Sequence, residues 1–405
     1  MRTRYGHAPW IESFPDTRRP TFEAFRGDKT ADVVIVGGGL TGLATAHALA
    51  VAGLRPLVLE ASRIGQGSAG RGSGLLIAEP GPTFRDLVQQ HGLRATRVIV
   101  EAWRKTAADV PGQLRRAGIT CDAAPVEYVA AGQAHVERDL RRDHEAREAA
   151  GFDSQWVESK KMQQLTRADG LTGMRLRGGI SLDPYKLCVG LARAAVRNRA
   201  RIFEKSSVEK VTPGASDVEI VLKGGVLRAP TVIVTTGVAT KLFKPLQRHF
   251  TDRERYFVMT EPVPLAVRRQ LFADAVALCV ERAPAHRVRW TPDHRLVISG
   301  ADQDATPAAK RPQTLVQRTG QLMYELLLLY PAISGLRPES GWEASYGQTA
   351  DGVMYVGAHR NYPRHLFALG GSGESVTAAF VAAKVLTRAV TGASEKTDQV
   401  FGWTR

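Results

Sequence analysis

Apolar positions near the start of the chain fall into a strand–turn–helix–strand order. Val33 to Val36 is an unbroken β-branched run, the pattern of a strand buried on both faces of a parallel sheet. Thr45 to Val51 is rich in alanine, as in a helix packed close to a sheet, and Pro56-Leu57-Val58-Leu59 is a second apolar run ending in Glu60. Val98, Ile99, Val100, Trp103, Val110 and Leu114 recur at helical spacing over 92–117, with a break expected near Pro111. Residues 138–150 interleave acids and bases (Arg142, Asp143, Glu145, Arg147, Glu148) and predict a helix with a solvent face, closed by Gly151-Phe152. Asp183 as N-cap and Pro184 at the first helical position open a helix reaching about Arg199.

Short strands follow at 201–203, 208–211, 218–222, 226–227 and 231–235, with a hairpin turn at Gly224-Gly225. A second set is expected within 241–344: strands at 256–260, 277–280, 287–290 and 296–298, then a helix over 313–329 that stops at Tyr330-Pro331. Strands at 352–357 and 366–369 precede Gly370-Gly371-Ser372-Gly373-Glu374-Ser375, which opens a terminal small-residue helix through about Val390. Residues 1–30, with Trp10, Phe14, Pro15, Pro20 and Phe22, read as an arm lying against the body.

The turn between the first two elements carries chemistry. Gly37, Gly39 and Gly42 stand in G-x-G-x-x-G spacing directly after a strand, and Glu60 lies eighteen residues beyond Gly42. That is the full βαβ context of a dinucleotide site. The first glycine permits the turn, the second admits a pyrophosphate, and the third lets helix and strand approach. The helix N-terminus offers free N–H groups to phosphate. Glu60 suits an adenosine ribose and repels a 2′-phosphate. Residues 65–74 hold five glycines, too many for an element interior, so this stretch suits close approach of a flat or phosphorylated ligand. The glycines from Gly370 form a further strand-to-helix cradle.

Composition adds little to this. The 405 residues are 43% hydrophobic and 23% charged, as in an ordinary globular protein. No apolar run is long enough to span a membrane. Met1 to His7 contains no apolar core of a secretory signal, so a cytoplasmic protein is expected. Cys121, Cys188 and Cys279 are too far apart for a zinc or disulfide framework, and no metal is expected. The net charge of +15 is spread over residues such as Arg141, Arg142, Arg193 and Arg197 with no aromatic-interleaved basic strand, so it reads as solvated faces rather than a nucleic-acid surface.

Taken together, these segments resemble the D-amino-acid-oxidase-like FAD-dependent oxidoreductases, and within them the gamma-glutamylputrescine oxidase and glycine oxidase-like branch. The resemblance rests on Ala31-Asp32-Val33 leading into Gly37–Gly42, Val58-Leu59-Glu60, Ser68 to Gly74, Leu182-Asp183-Pro184, Thr235-Thr236-Gly237, Thr349-Ala350-Asp351-Gly352 and Gly370 to Gly373, all in family order. It implies an α/β fold: a Rossmann-like FAD-binding domain built from discontinuous segments (31–85, 175–240 and 345–395), with an inserted α+β, mixed-sheet substrate domain (86–174 and 241–344). The arm 1–30 and a tail 396–405 complete the chain. It further implies that Gly37, Gly39, Leu40, Thr41 and Gly42 hold the pyrophosphate and Glu60 with Ala61 the adenosine. Arg63, Ser68, Arg71, Gly72 and Gly74 would line the flavin, Val208 meet the adenine, Thr236 and Gly237 the ribityl–phosphate region, and Gly371, Ser372, Gly373, Glu374 and Ser375 the pyrimidine edge.

The implied activity is oxidation of the C–N bond of a small-molecule amine or amino acid, by hydride transfer to flavin and hydrolysis of the imine. The chain departs from some relatives. The first flavin loop has no His, and Tyr346-Gly347-Gln348 precedes Thr349 with no Cys, which implies noncovalent FAD. Leu296 to Gly300 lacks the lysine that sarcosine-oxidase-like members use toward oxygen, which leaves a dehydrogenase open. Ser375 stands near a missing substrate-carboxylate lysine, which favours an amine. Candidate catalytic side chains are His286, Arg287, Arg289, Trp290, Glu374, Tyr256 and Tyr346, although an acid such as Glu374 in a first helical turn is already explained by the macrodipole. Alternatives are a 2-hydroxy-acid or polyol dehydrogenase, an oxidoreductase acting on tRNA wobble uridines, and a non-enzymatic flavin-binding partner.

Overall fold

A computed structural model of the chain describes residues 2–281, 285–373 and 376–405. Its centre is a six-stranded sheet in the order Tyr355–His359, Tyr362–Leu369, Val232–Gly237, Val33–Val36, Pro56–Leu59, Arg201–Phe203. All neighbours are parallel except the first pair. The all-apolar sequence Val33–Val36 follows from burial on both faces. Val33 and Ile35 pack into a helical layer, and Val34 and Val36 against a four-stranded sheet on the other side. That sheet runs Val208–Pro213, Val218–Leu222, Gly225–Ala229, Lys29–Thr30. Leu222 pairs with Gly225, so the hairpin turn is Lys223-Gly224 and Gly225 already belongs to the next strand.

The helical layer contains Leu40–Val51, Pro184–Arg197, Phe84–Arg116 and Val376–Thr391. Ala44, Ala46 and Ala50 of the first share a core with Ala378, Ala379, Ala382 and Ala383 of the last. Small side chains on both let the helices that start at the two glycine cradles pack side by side. Asp183 caps its helix as expected, accepting from the N–H groups of Tyr185 and Lys186 at 2.9 Å. The long helix differs from expectation. It begins at Phe84, kinks at Gly92 (φ 75°, ψ 162°) and runs through Pro111 to Arg116. One lost backbone bond at Pro111 is outweighed by the buried stripe Ile99, Trp103, Ala107, Val110 and Leu114.

A ten-stranded sheet covers the other end. Its order is Arg4–Tyr5, Pro338–Gln348, Thr251–Thr260, Leu296–Asp304, His286–Trp290, Val276–Val280, Ala124–Gly132, Thr172–Ser181, Leu75–Leu76, with Gln155–Val157 also beside Thr172–Ser181. Three of its longest strands, Ala124–Gly132, Thr172–Ser181 and Pro338–Gln348, were not expected from the sequence. The strand Thr172–Ser181 also crosses the expected boundary at 174/175 and lies wholly in this sheet. One face carries Val258, Ile298, Val288 and Leu278 against helix Arg311–Leu329. The other carries Phe257, Val297 and Trp342 against Trp10, Tyr185 and Val189, toward the central sheet. The N-terminal arm is part of the fabric: Arg4 and Tyr5 pair in parallel with Ser340 and Gly341.

The charged helix is Ala134–Ala149, and its solvent-face assignment fails at two positions. Asp143 and Arg147 are buried, with Arg147 bound both to Asp143 (2.7 Å) and to buried Glu79. A partnered, desolvated ion group has the same sequence spacing as a solvated one. No helix among the described residues is long and apolar enough to cross a membrane.

Candidate functional site

A cavity of about 720 Å³ runs between the central sheet and the ten-stranded sheet, within the usual ~300–1,000 Å³ range of ligand sites. One end is the first glycine turn. Gly37 has φ 111°, and a Cβ there would lie 2.7 Å from the carbonyl oxygen of Thr235. A Cβ on Gly42 would lie 2.0 Å from the carbonyl oxygen of Gly37, so these two close the turn. At Gly39 the nearest atom to a Cβ would be 3.9 Å away, so the space above it is open to the cavity. Gly39 is the N-cap of helix Leu40–Val51 and supplies no side-chain cap. The first-turn N–H groups therefore remain for an anion. Glu60 stands on the wall and braces the turn: its carboxylate accepts from the N–H groups of Gly38 and Ser62, both at 2.8 Å.

The second glycine stretch forms the middle of the cavity, through Gly65, Gly67, Ser68, Ala69, Gly72, Ser73 and Gly74. Gly74 has φ 71°, and its Cβ would lie 2.0 Å from the Leu182 carbonyl oxygen. Two indoles hold this loop, Trp10 of the N-terminal arm donating to the Gly72 carbonyl at 3.0 Å and Trp342 of the large sheet to that of Arg71 at 2.7 Å. Val208, Thr236, Gly237, Leu40, Thr41 and Ala61 also line the cavity. Gly370 and Gly373 reach it from the third glycine cradle, Gly373 against the ring of Tyr346.

Several expected residues stand elsewhere. Gly42 lies behind the wall, closing the turn. Arg63 is exposed and off the wall. Arg71 donates to the carbonyls of Glu343 (2.9 Å) and Gly6 (2.8 Å), bracing the loop from outside. Gly371 is bridged to Gln348, and Ser372 packs where a Gly81 side chain would be; neither lines the cavity. Glu374 and Ser375 lie outside the described residues.

The candidate catalytic strand His286–Trp290 divides by alternation. His286, Val288 and Trp290 point to helix Arg311–Leu329, His286 with its Nδ1 3.7 Å from Glu325. Arg289 points the other way but stays behind the glycine stretch 65–74, 2% exposed. Its guanidinium donates to the carbonyls of Ser73, Leu182 (3.1 Å) and Trp290 (2.9 Å) and to Ser181 Oγ (2.7 Å). Tyr256 likewise faces the helix and donates to Glu254 at 2.9 Å.

The polar group that does meet the cavity comes from three neighbouring strands. Arg255, Phe257, Ala344 and Tyr346 line its far end. Behind them Asp302 accepts from Arg255 Nε (2.8 Å) and Nη2 (2.7 Å) and from the Tyr346 hydroxyl (2.6 Å). Burial alone would raise the Asp302 carboxyl, but the charge and hydrogen bonds of Arg255, with that of Tyr346, hold it below the ordinary value. The Tyr346 phenol is pushed up to about 12 by burial and then by Asp302.

Asp302 reaches this face through a β-bulge. Glu254 pairs with Gln303 and Tyr256 with Gly300, so Ala301 and Asp302 together oppose Arg255. Ala301 takes φ 52° and turns into the helix-side core. The alternation is thereby reversed, and Asp302 points to the cavity side. Sequence reading missed Arg255 and Asp302; Gly300 within an apolar run was the available bulge signal.

The strand-end aspartate of the Thr349–Gly352 segment is locked from below. Asp351 accepts from Arg405 at 2.6 Å, and His91 Nε2 stands 3.2 Å away. Arg405 also holds the carbonyls of Val353, Met354 and Phe401 and lies over the Tyr355 ring.

Comparison with known proteins agrees with this architecture. The chain is 25% identical over 382 residues to gamma-glutamylputrescine oxidoreductase of Escherichia coli, covering 93% of this chain and 87% of that one. It is 24% identical over 387 residues to glycine oxidase of Bacillus licheniformis, covering 92% and 96%. In solved structures, the fold matches glycine oxidase from Geobacillus kaustophilus with a TM-score of 0.78 at 20% identity, over 93% of this chain and 99% of that one. The family model described as FAD dependent oxidoreductase (DAO) matches residues 32–389. Because that match runs from the first buried strand into the last helix, the chain belongs to the FAD-dependent oxidoreductase family.

Proposed function

We propose that the protein oxidises the C–N bond of a small amine or amino acid with noncovalently held FAD. The observation that carries the reading is one continuous cavity. It joins the open anion cradle at Gly39 to an end walled by Phe257, Ala344 and Tyr346, with Arg255 and Asp302 as its polar group. The residues fit the cofactor. Gly39, Leu40 and Thr41 offer backbone donors to a pyrophosphate, Glu60 and Val208 flank the adenosine end, and Gly72, Ser73, Gly74 and Gly373 leave bare backbone beside a flat ring. The names of both curated relatives point to nitrogen-bearing substrates.

Bound FAD would take a hydride from the carbon bearing the amine, leaving an imine that water hydrolyses. The chain's part is to dry and orient. Phe257, Ala344 and Tyr346 exclude water from one side, and Arg255 and Tyr346, both fixed by Asp302, hold the substrate's polar end. With the Tyr346 phenol kept protonated, that residue donates a hydrogen bond rather than serving as a base at neutral pH. The test is anaerobic bleaching of the yellow protein across amines, amino acids and 2-hydroxy acids. Bleaching by a nitrogen compound is the expected result; bleaching by hydroxy acids alone would refute the reading. Acid precipitation should leave the flavin in the supernatant.

A further inference from the structure

The polar group at the far end of the cavity has an unusual charge balance for a site meant to grip an anion. Arg255 lines the cavity with Phe257, Ala344, Ser345 and Tyr346; the other cationic side chain among the described lining residues is Lys241, on the turn after the strand Val232–Gly237. Arg255 is engaged by Asp302 through two of its nitrogens, and the side chains of the pair are 9% and 6% exposed. Arg287, on the same face of the adjacent strand, interacts with both Asp302 and Glu281. Arg255 and Arg287 are thus faced by the carboxyl groups of Asp302 and Glu281, Arg253 farther along the strand pairs with Asp304 at 2.8 Å, and Arg289 is turned onto backbone carbonyls. With Ala301 in the strand, the bulge keeps Asp302 on the cavity side.

We propose that Asp302 sets the substrate class by cancelling the charge of Arg255, so that the cavity prefers an amine whose reacting carbon bears no free carboxylate over an α-amino acid. The proposal rests on the C–N oxidation proposed above. An incoming carboxylate must leave water and lie beside Arg255 with Asp302 fixed on the arginine's other edge, so attraction and repulsion largely offset one another. A neutral polar group or an alkyl chain carries no such penalty. Phe257, Ala344 and the Tyr346 ring offer it apolar contact. Asp302 is a positioning residue: it stands behind the wall and acts through Arg255 and Tyr346.

The test uses the FAD-loaded full chain and reads ligand binding from flavin difference spectra. Acetate and benzoate are titrated against acetamide and benzamide, which match them in shape without the charge. The wild-type protein should bind each carboxylate no more than about threefold tighter than its amide. Asp302→Asn should tighten carboxylate binding by about tenfold or more while amide binding stays within about threefold. Wild-type preference for carboxylates by tenfold, or an FAD-loaded D302N protein with unmoved carboxylate affinity, would overturn the proposal. If D302N fails to load FAD, the wild-type comparison alone decides. Turnover separates this idea from the broader one. Butylamine should bleach the flavin faster than either enantiomer of norvaline, which differs by one carboxylate. Faster bleaching by norvaline removes the proposal but leaves C–N oxidation standing. Bleaching by neither leaves C–N oxidation to the wider panel above, while the difference spectra still judge Asp302.

Discussion

Replacing Arg289 by methionine tests whether that residue builds the cavity or takes part in the chemistry. Methionine keeps much of the volume and contact with Trp10, whose ring lies 5.0 Å from the guanidinium carbon. It removes the donors to Ser73 O, Leu182 O and Ser181 Oγ. Hydrogen bonds from a charged donor to buried acceptors are worth about 1.5–3 kcal/mol each. Three of them set a loss of at least about 4 kcal/mol. For a chain of this length, an unfolding entropy of about 2.1 cal/mol/K per residue turns that into a Tm fall of about 5 °C. The same bonds hold the backbone of Ser73 and Gly74 against the Leu182 segment, so part of the loss falls on the cavity wall. Every 1.4 kcal/mol expressed there raises the FAD Kd about tenfold. Calorimetry of the apoprotein and fluorescence titration with FAD measure the two effects. Unchanged Tm and FAD affinity, with turnover lost at saturating FAD, would refute the structural role and return Arg289 to the reacting centre.

Gly42→Ala places a Cβ 2.0 Å from the Gly37 carbonyl oxygen and 2.8 Å from Thr235 Oγ1. Both atoms belong to the packed turn, so the purified variant should be colourless; a variant with full flavin absorbance would contradict the turn geometry. Arg405→Ala removes the partner that holds the Asp351 carboxyl below its ordinary value against the opposing effect of burial. A depressed carboxyl contributes stability above its unfolded pKa of about 3.9 and loses it as pH falls through the folded value. The Tm gap between wild type and R405A should therefore be widest near neutral pH and close as pH drops below about 4; a gap that widens in acid would refute the assignment.

The nucleotide-binding half was legible because its signals are local. Val33–Val36, the spacing of Gly37, Gly39 and Gly42, and Glu60 all fall within one stretch, and each residue type answers a constraint set by its immediate neighbours. The far end of the cavity was not. The strand Pro338–Gln348 carries Glu339, Ser340, Glu343, Ser345 and Gln348, so its content reads as loop. Its inward residues Trp342, Ala344 and Tyr346 show only as a period of two. Asp143 and Arg147 have the spacing of an exposed helix face, and only the tertiary approach of Glu79 makes them a buried group. His286 and Arg289 share a strand, yet which one faces the cofactor depends on sheet register, which a single strand does not contain. Arg289 was found by sequence as a candidate, and its guanidinium donates to the backbone carbonyls of Ser73, Leu182 and Trp290.

The bulge at Ala301 makes this strand one residue longer than its partner while leaving the faces beyond it matched. Gly300 faces the helix side, so deleting Ala301 would bring Asp302 next in the alternation, directly opposite Arg255 and still on the cavity side, with Gln303 opposite Glu254 and Asp304 opposite Arg253 as before. A single-codon length change at this one point is therefore compatible with the site. The same change placed one residue later would remove the carboxylate itself, so a related chain of different length keeps the site only where its gap falls at the bulge.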